Sequence, residues 1–368
     1  MSQSSSEGSS SRSSKLLIGS IESFSGKSAT VLGLAMQLRS HDLSVAYAKP
    51  IGTCPSEDPN DKGEDAIDED VRFISSTLEL TDNQVRPTLF CLNPDTVTKQ
   101  LSTENHVYRK EVEAALENRG EDVLLIEGPG NLDEGTLFGL SLADMAEMSG
   151  AAVILVTRYR SALVVDKLIA AKEKLGDQLI GVVMNDVPDS LAEEAKSAVR
   201  ECLERHNIQV LGILPRTAIM RSVSVEALVH HLNAELLYKP DHIDQIMVEE
   251  ISIGAMNANS ALRYFSRAHN MAVVTGGDRF DIQMAALESS TQCLVLTGRL
   301  SPRADILERA RDLEVPILSV DLDTLTTVDI IEQAFDQVRL NEPIKVECIG
   351  HLMDQHFDTD RLLSAIKS

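Results

Sequence analysis

Short runs of consecutive apolar residues alternate along this chain with longer stretches in which apolar residues recur every three or four positions. The runs fall at residues 15–19, 45–49, 123–127, 152–157, 179–185 and 210–214, and helical patterns between them include 29–39, 161–175 and 190–206. Valine, isoleucine and leucine fill the runs without in–out alternation, as expected of strands buried on both faces of a parallel sheet. Strand and helix in succession predict a doubly wound α/β domain of about 200 residues.

Between residues 216 and 244 the pattern changes to a helical connection ending at Tyr238-Lys239-Pro240-Asp241. A second α/β series follows, with strand-like runs at 246–253, 272–275, 293–297 and 316–320 and helical patterns between and after them. The expected division is a disordered Ser-rich tail over 1–14, a first domain over 15–218, a helical connection over 219–244 and a smaller α/β domain over 245–368.

The first strand-like run leads into Gly19-Ser20-Ile21-Glu22-Ser23-Phe24-Ser25-Gly26-Lys27-Ser28, and a helical pattern begins at Ala29. Strand, glycine loop and helix in that order form a phosphate cradle. Backbone N–H groups and the helix N-terminus face an anion, the lysine reaches the outer phosphates, and the serine hydroxyl can hold Mg²⁺. The spacing G-x-x-x-x-G-K-[ST] would place a glycine at Ile21, and Glu22 adds a carboxylate to an anion-binding loop. Both departures predict weakened phosphate binding.

Three further positions end predicted strands of the same sheet. Glu127, before Gly128-Pro129-Gly130, either binds Mg²⁺ or sits in a solvated glycine turn. Lys49 is either a surface lysine or a second ammonium that shares the charge of a transferring phosphoryl group. Asn185 either caps the strand end or reads a base edge. The acidic stretch 64–70 reads most simply as a solvated loop and the acidic first turn of a helix; the alternative is that one of its members contacts the metal, and Asp70 leads into that helix.

Composition narrows the partners. With 57 acidic against 34 basic side chains the net charge is −23, which argues against a nucleic-acid or anionic-membrane surface. No run reaches the ~18 apolar residues of a membrane span. The five cysteines show no C-x-x-C spacing, so neither a disulfide framework nor a zinc site is expected, in keeping with a reducing cytoplasm.

Gly26-Lys27-Ser28, Lys49-Pro50-Ile51-Gly52, Glu127-Gly128-Pro129-Gly130, Gly181-Val182-Val183-Met184-Asn185 and Leu211-Gly212-Ile213-Leu214-Pro215 come in the order seen in dethiobiotin synthetase-like P-loop proteins, which residues 15–215 resemble. Ser25-Gly26-Lys27-Ser28-Ala29 looks closest to the N-terminal part of long phosphate acetyltransferases. Val274-Thr275-Gly276-Gly277-Asp278-Arg279, Asp281-Ile282-Gln283 and Leu296-Thr297-Gly298 resemble the DRTGG domain that follows the same unit there, although Arg299 stands where a second glycine is expected.

The resemblance implies that Gly26, Lys27, Ser28 and Ala29 take the phosphates of ATP or GTP. It also implies Ser28, Asp70 and Glu127 as Mg²⁺ ligands, Asn185 as a base contact, and Lys49 as a catalytic group if the protein is a ligase. It further implies a homodimer, and a second small-molecule ligand or protein partner for the DRTGG-like domain. No acetyltransferase catalytic domain follows in this sequence. The expected function is therefore a nucleotide-binding regulator with little or no turnover. The alternatives are an ATP-dependent ligase or carboxylase, and an interaction protein with a vestigial loop.

Overall fold

The computed structural model describes residues 14–52, 68–102, 108–336, 340 and 342–367. The Ser-rich tail over 1–13 and residues 64–67 of the acidic stretch lie outside them. The chain divides into two compact units, residues 1–216 with 346–368, and residues 217–345.

The first unit is built on β1 (Ser14–Ser20), α1 (Lys27–Ser40), β2 (Val45–Ala48), α2 (Glu69–Thr77), β3 (Val85–Arg86), β4 (Val123–Glu127), α3 (Leu142–Ser149), β5 (Ala152–Arg158), α4 (Val164–Leu175), β6 (Leu179–Val187), α5 (Arg200–Arg205) and β7 (Val210–Pro215). Its main sheet has seven strands, all parallel, in the order β3-β2-β4-β1-β5-β6-β7. Leu16, Leu17, Ile18, Leu124, Leu125 and Ile126 are wholly buried, as strands covered on both faces require. From β1 the chain crosses one way to β2, and from β4 the other way to β5. The ends of β1 and β4 thus flank the point where the strand order reverses, the place where α/β sheets bind ligands.

The second unit contains α6 (Val225–His231), β8 (Glu235–Tyr238), β9 (Glu250–Ile253), α7 (Ala258–Phe265), β10 (Met271–Gly276), α8 (Phe280–Leu287), β11 (Thr291–Thr297), α9 (Ala304–Asp312), β12 (Ile317–Val320) and α10 (Thr324–Asp336). Its five-stranded sheet runs β8-β12-β11-β10-β9, parallel except for the antiparallel edge strand β8. Residues 219–244, read from the sequence as a helical connection, include α6 and β8 and belong to this unit.

The chain then returns to the first unit with α11 (Pro343–His356) and α12 (Thr359–Lys367), of which residues 346–368 had been expected in the second. Contacts at three places explain the return. A Cβ on Gly33 of α1 would come within 2.5 Å of Met353 Cγ, so the two helices meet where α1 has no side chain. The Asp358 amide donates to Leu211 O at 2.8 Å, and Phe357 bridges Gly212, which covers the outer edge of β7. Arg361 donates to Glu204 Oε1 at 2.7 Å and to Gln209 Oε1 at 3.1 Å. No described helix is long and apolar enough to cross a membrane. Cys91 is disulfide-bonded, counter to the expectation from spacing. Parallel pairing of Ile51-Gly52 with Phe90-Cys91 folds a distant segment alongside it.

Candidate functional site

The loop after β1 turns at Phe24 (φ 54°) and Gly26 (φ 92°), so its left-handed residues are not at position 21. Ile21 instead packs against the core and needs no glycine geometry. Gly26 opens α1, whose first turn carries no acidic residue and no side-chain cap. Its leading amides, those of Lys27, Ser28 and Ala29, are therefore left for an anion. Glu22 does not obstruct this cradle, because its carboxylate accepts the Arg158 amide at 3.2 Å at the end of β5.

Lys27 is 9% exposed, and its ammonium donates to Ser20 Oγ at 3.1 Å and Gly130 O at 3.3 Å. Burial lowers its pKa, against the opposing pull of Glu127 and Glu134. Ser28 Oγ donates to Glu127 Oε1 at 3.0 Å, while the Tyr47 hydroxyl donates to Glu127 Oε2 at 2.8 Å. Burial pushes the Glu127 carboxyl up, with Lys49 acting the other way. Burial also raises the Tyr47 phenol well above its usual range, reinforced by Glu127.

Lys49 lies just beyond β2 with its ammonium 2.9 Å from Asp68 Oδ1 and 2.5 Å from Asp70 Oδ2. Burial alone would lower its pKa, but Glu127, Asp70 and Asp68 together outweigh that and raise it. Asp68 also caps α2 by accepting the Asp70 amide at 2.9 Å. Asn185, on β6, donates from Nδ2 to Ser25 O at 2.9 Å, and a Cβ on Gly26 would sit 2.2 Å from that nitrogen. The loop thus carries Asn185 on its back. Ser25 Oγ is buried with no hydrogen-bond partner.

Gly26, Lys27, Ser28, Ala29, Lys49, Asp70, Glu127 and Asn185 are therefore brought to one edge of one sheet. Ser28, Glu127 and Asp70 offer oxygen donors alone, the ligand type Mg²⁺ takes, and the Ser28–Glu127 contact puts two of them side by side. Among the described residues no three His, Cys, Asp or Glu side chains converge as a complete cage. A cation here would complete its shell with phosphate oxygens and water. Tyr47 and Asp68 were not singled out from sequence. The usable signal for Tyr47 was a phenol inside an otherwise apolar strand, since a buried hydroxyl needs a partner.

A cleft of about 640 Å³ lined by Gln37, His41, Lys196, Arg200, His356 and Thr359, among others, also belongs to the first unit, but none of these site residues lines it. In the second unit, Gln283 donates to both Gly276 O and Gly277 O at 3.0 Å and holds the glycine turn closed. Arg299 takes φ 54°, the left-handed geometry that explains why a glycine is expected there.

The sequence model of the AAA domain matches residues 14–223, and that of the DRTGG domain matches residues 227–334. A phosphate acetyltransferase of Nitratidesulfovibrio vulgaris is 27% identical over 385 aligned positions, which cover 96% of this chain and 52% of that protein. An ATP-dependent dethiobiotin synthetase of Pseudomonas aeruginosa is 28% identical, covering 56% of this chain and 91% of the synthetase. The chain spans about half the length of the curated acetyltransferases it matches. The solved CBS and DRTGG domains of Clostridium perfringens pyrophosphatase, complexed with diadenosine tetraphosphate, align at 21% identity with a TM-score of 0.28, over 43% of this chain and 70% of that one.

Proposed function

Because this chain belongs to the AAA domain family, its dethiobiotin synthetase-like P-loop domain followed by a DRTGG domain, we propose that it is a nucleotide-responsive regulator with little or no turnover. ATP or GTP enters with Mg²⁺. Gly26, Lys27, Ser28 and Ala29 bind its phosphates, Ser28, Glu127 and Asp70 face the metal, and the free oxygen of the Asn185 carboxamide meets the base. When bound, Mg²⁺ supplies charge neutralisation between the phosphates. The DRTGG domain takes a second small ligand or a protein partner. Different affinity of the nucleotide for two states of the protein would make it a switch. The reading includes a homodimer, implied by the family resemblance, and a cytoplasmic location, which the cysteine spacing favours and the disulfide at Cys91 counts against.

Lys49 carries the preference for regulation over catalysis. Its ammonium is buried against two carboxylates, so its charge is already balanced. A lysine that stabilises a transferring phosphoryl group needs charge that is not already committed. The competing reading, an ATP-dependent ligase, is favoured by the match to the Pseudomonas aeruginosa synthetase along nine-tenths of that protein's length.

Calorimetric titration of Mg·ATP and Mg·GTP into wild type and Lys27→Ala tests both readings, together with phosphate release in the presence and absence of diamines. Binding that Lys27→Ala weakens by about tenfold or more, without turnover, is the expected result. Diamine-dependent release of phosphate would establish the ligase instead. No binding by the wild type would remove both.

A further inference from the structure

We propose that Tyr47 is a positioning residue for Glu127, fixing which carboxylate oxygen is presented to Ser28 and hence to the metal of a bound nucleotide. This deepens the nucleotide-site reading and rests on it. The geometry begins with strand register. Tyr47 of β2 is paired with Leu125 of β4, and Glu127 lies two residues further along the same strand. Side chains two apart share a face of the sheet, and an aromatic side chain spans that diagonal.

Tyr47 is fully buried and Glu127 is 3% exposed, so no bulk water competes for the carboxylate. The phenol takes Oε2 at 2.8 Å, and Ser28 Oγ lies 3.0 Å from the other oxygen, Oε1. One oxygen is thereby anchored from the strand side. The other remains on the side of α1, where the phosphate loop ends. A phenylalanine would fill the same space, so the hydroxyl is the only part of the residue that packing does not explain. Partners of this kind orient a metal ligand and are typically worth about 10- to 100-fold in metal affinity.

The test is calorimetry of ATP, with GTP in a parallel arm, on wild type and Tyr47→Phe, each in EDTA and in saturating Mg²⁺. The enhancement of affinity by Mg²⁺ should fall about 10- to 100-fold in Tyr47→Phe, while affinity in EDTA changes less than about twofold. In the Tyr47→Phe, Glu127→Gln double variant the losses should not add, because the hydroxyl acts through the carboxylate. Full Mg²⁺ enhancement in Tyr47→Phe would overturn this assignment alone, as would an equal loss in EDTA, which marks a general structural effect. Absence of nucleotide binding by the wild type would overturn the site reading and this assignment together. Should Tyr47→Phe not fold, Glu127→Asp withdraws the carboxylate from the phenol by one methylene, and full enhancement there would refute the positioning role.

Discussion

Replacing Lys49 with methionine keeps an unbranched stem of four heavy atoms and removes the ammonium. Lys49 and Asp68 are 5% and 1% exposed, and Asp70 is 20% exposed, so the change removes the ammonium shared by one interior and one half-buried carboxylate. Removing one partner of a buried ion pair costs about 3–5 kcal/mol, and partial hydration of Asp70 favours the lower end. For a unit of about 200 residues, about 3 kcal/mol corresponds to a melting temperature lowered by roughly 6–12 °C. Lys27→Met should cost less. Burial dominates at Lys27 and its ammonium bonds to Ser20 Oγ and Gly130 O rather than to carboxylates, so its removal lowers the ligand-free melting temperature by less than Lys49→Met does.

The pH dependence has a definite sign. The folded pKa of Lys49 lies above its ordinary value of 10.5, so its contribution is fully present below that value. It is lost as pH rises through the folded pKa. The stability gap between wild type and Lys49→Met should stay level from neutral pH to about 10 and narrow only at higher pH. Scanning calorimetry of wild type, Lys49→Met and Lys27→Met without nucleotide decides the matter. A Lys49→Met transition within about 2 °C of wild type would refute the reasoning and make Lys49 the uncommitted group that a ligase requires.

Two further outcomes follow. Gly26→Ala forces a side chain to φ 92° and into the Asn185 amide, so about 2–3 kcal/mol of stability and most nucleotide affinity should be lost; a thermal melt paired with calorimetry checks both. Arg361→Ala should cost about 1 kcal/mol at neutral pH. The Arg361 guanidinium holds Glu204 below its usual 4.5, so that contribution is present above 4.5 and lost as pH falls through the folded value. Wild-type and Arg361→Ala urea midpoints should therefore draw closer in acid, leaving only what the bonds to Gln209 and the Val210 carbonyl carry, and a gap that does not narrow would count against the pairing.

Most of the first sheet was legible because its strands are apolar on both faces and several run into polar or glycine-rich residues at the edge where the site forms. Glu127 ends β4, Lys49 follows β2, Asn185 lies near the end of β6 and Gly26 lies in the loop after β1, and local order along the chain was enough to find them. Which partner each would hold was not legible. Asp68 reaches Lys49 only because it caps α2, and Tyr47 reaches Glu127 only through the β2–β4 register. Strand β8 was missed for a related reason: it is an edge strand, with all four residues half-buried or exposed, so it lacks an apolar run. Helices α11 and α12 show their period but not the sheet they cover. Nothing in a helical repeat says that Met353 will meet Gly33 more than 300 residues earlier.

The return of α11 and α12 also sets an order of events during synthesis. The first unit lacks the cover of its edge strand until residues 346–368 have been made, and about 130 residues of the second unit emerge before them. At about 5–20 residues per second, β7 would wait roughly 6–25 s with its outer edge bare. During that interval the bare edge of β7 is open to pairing with other chains. A fragment ending near residue 218 would hold every phosphate-loop residue yet remain in that unfinished state permanently.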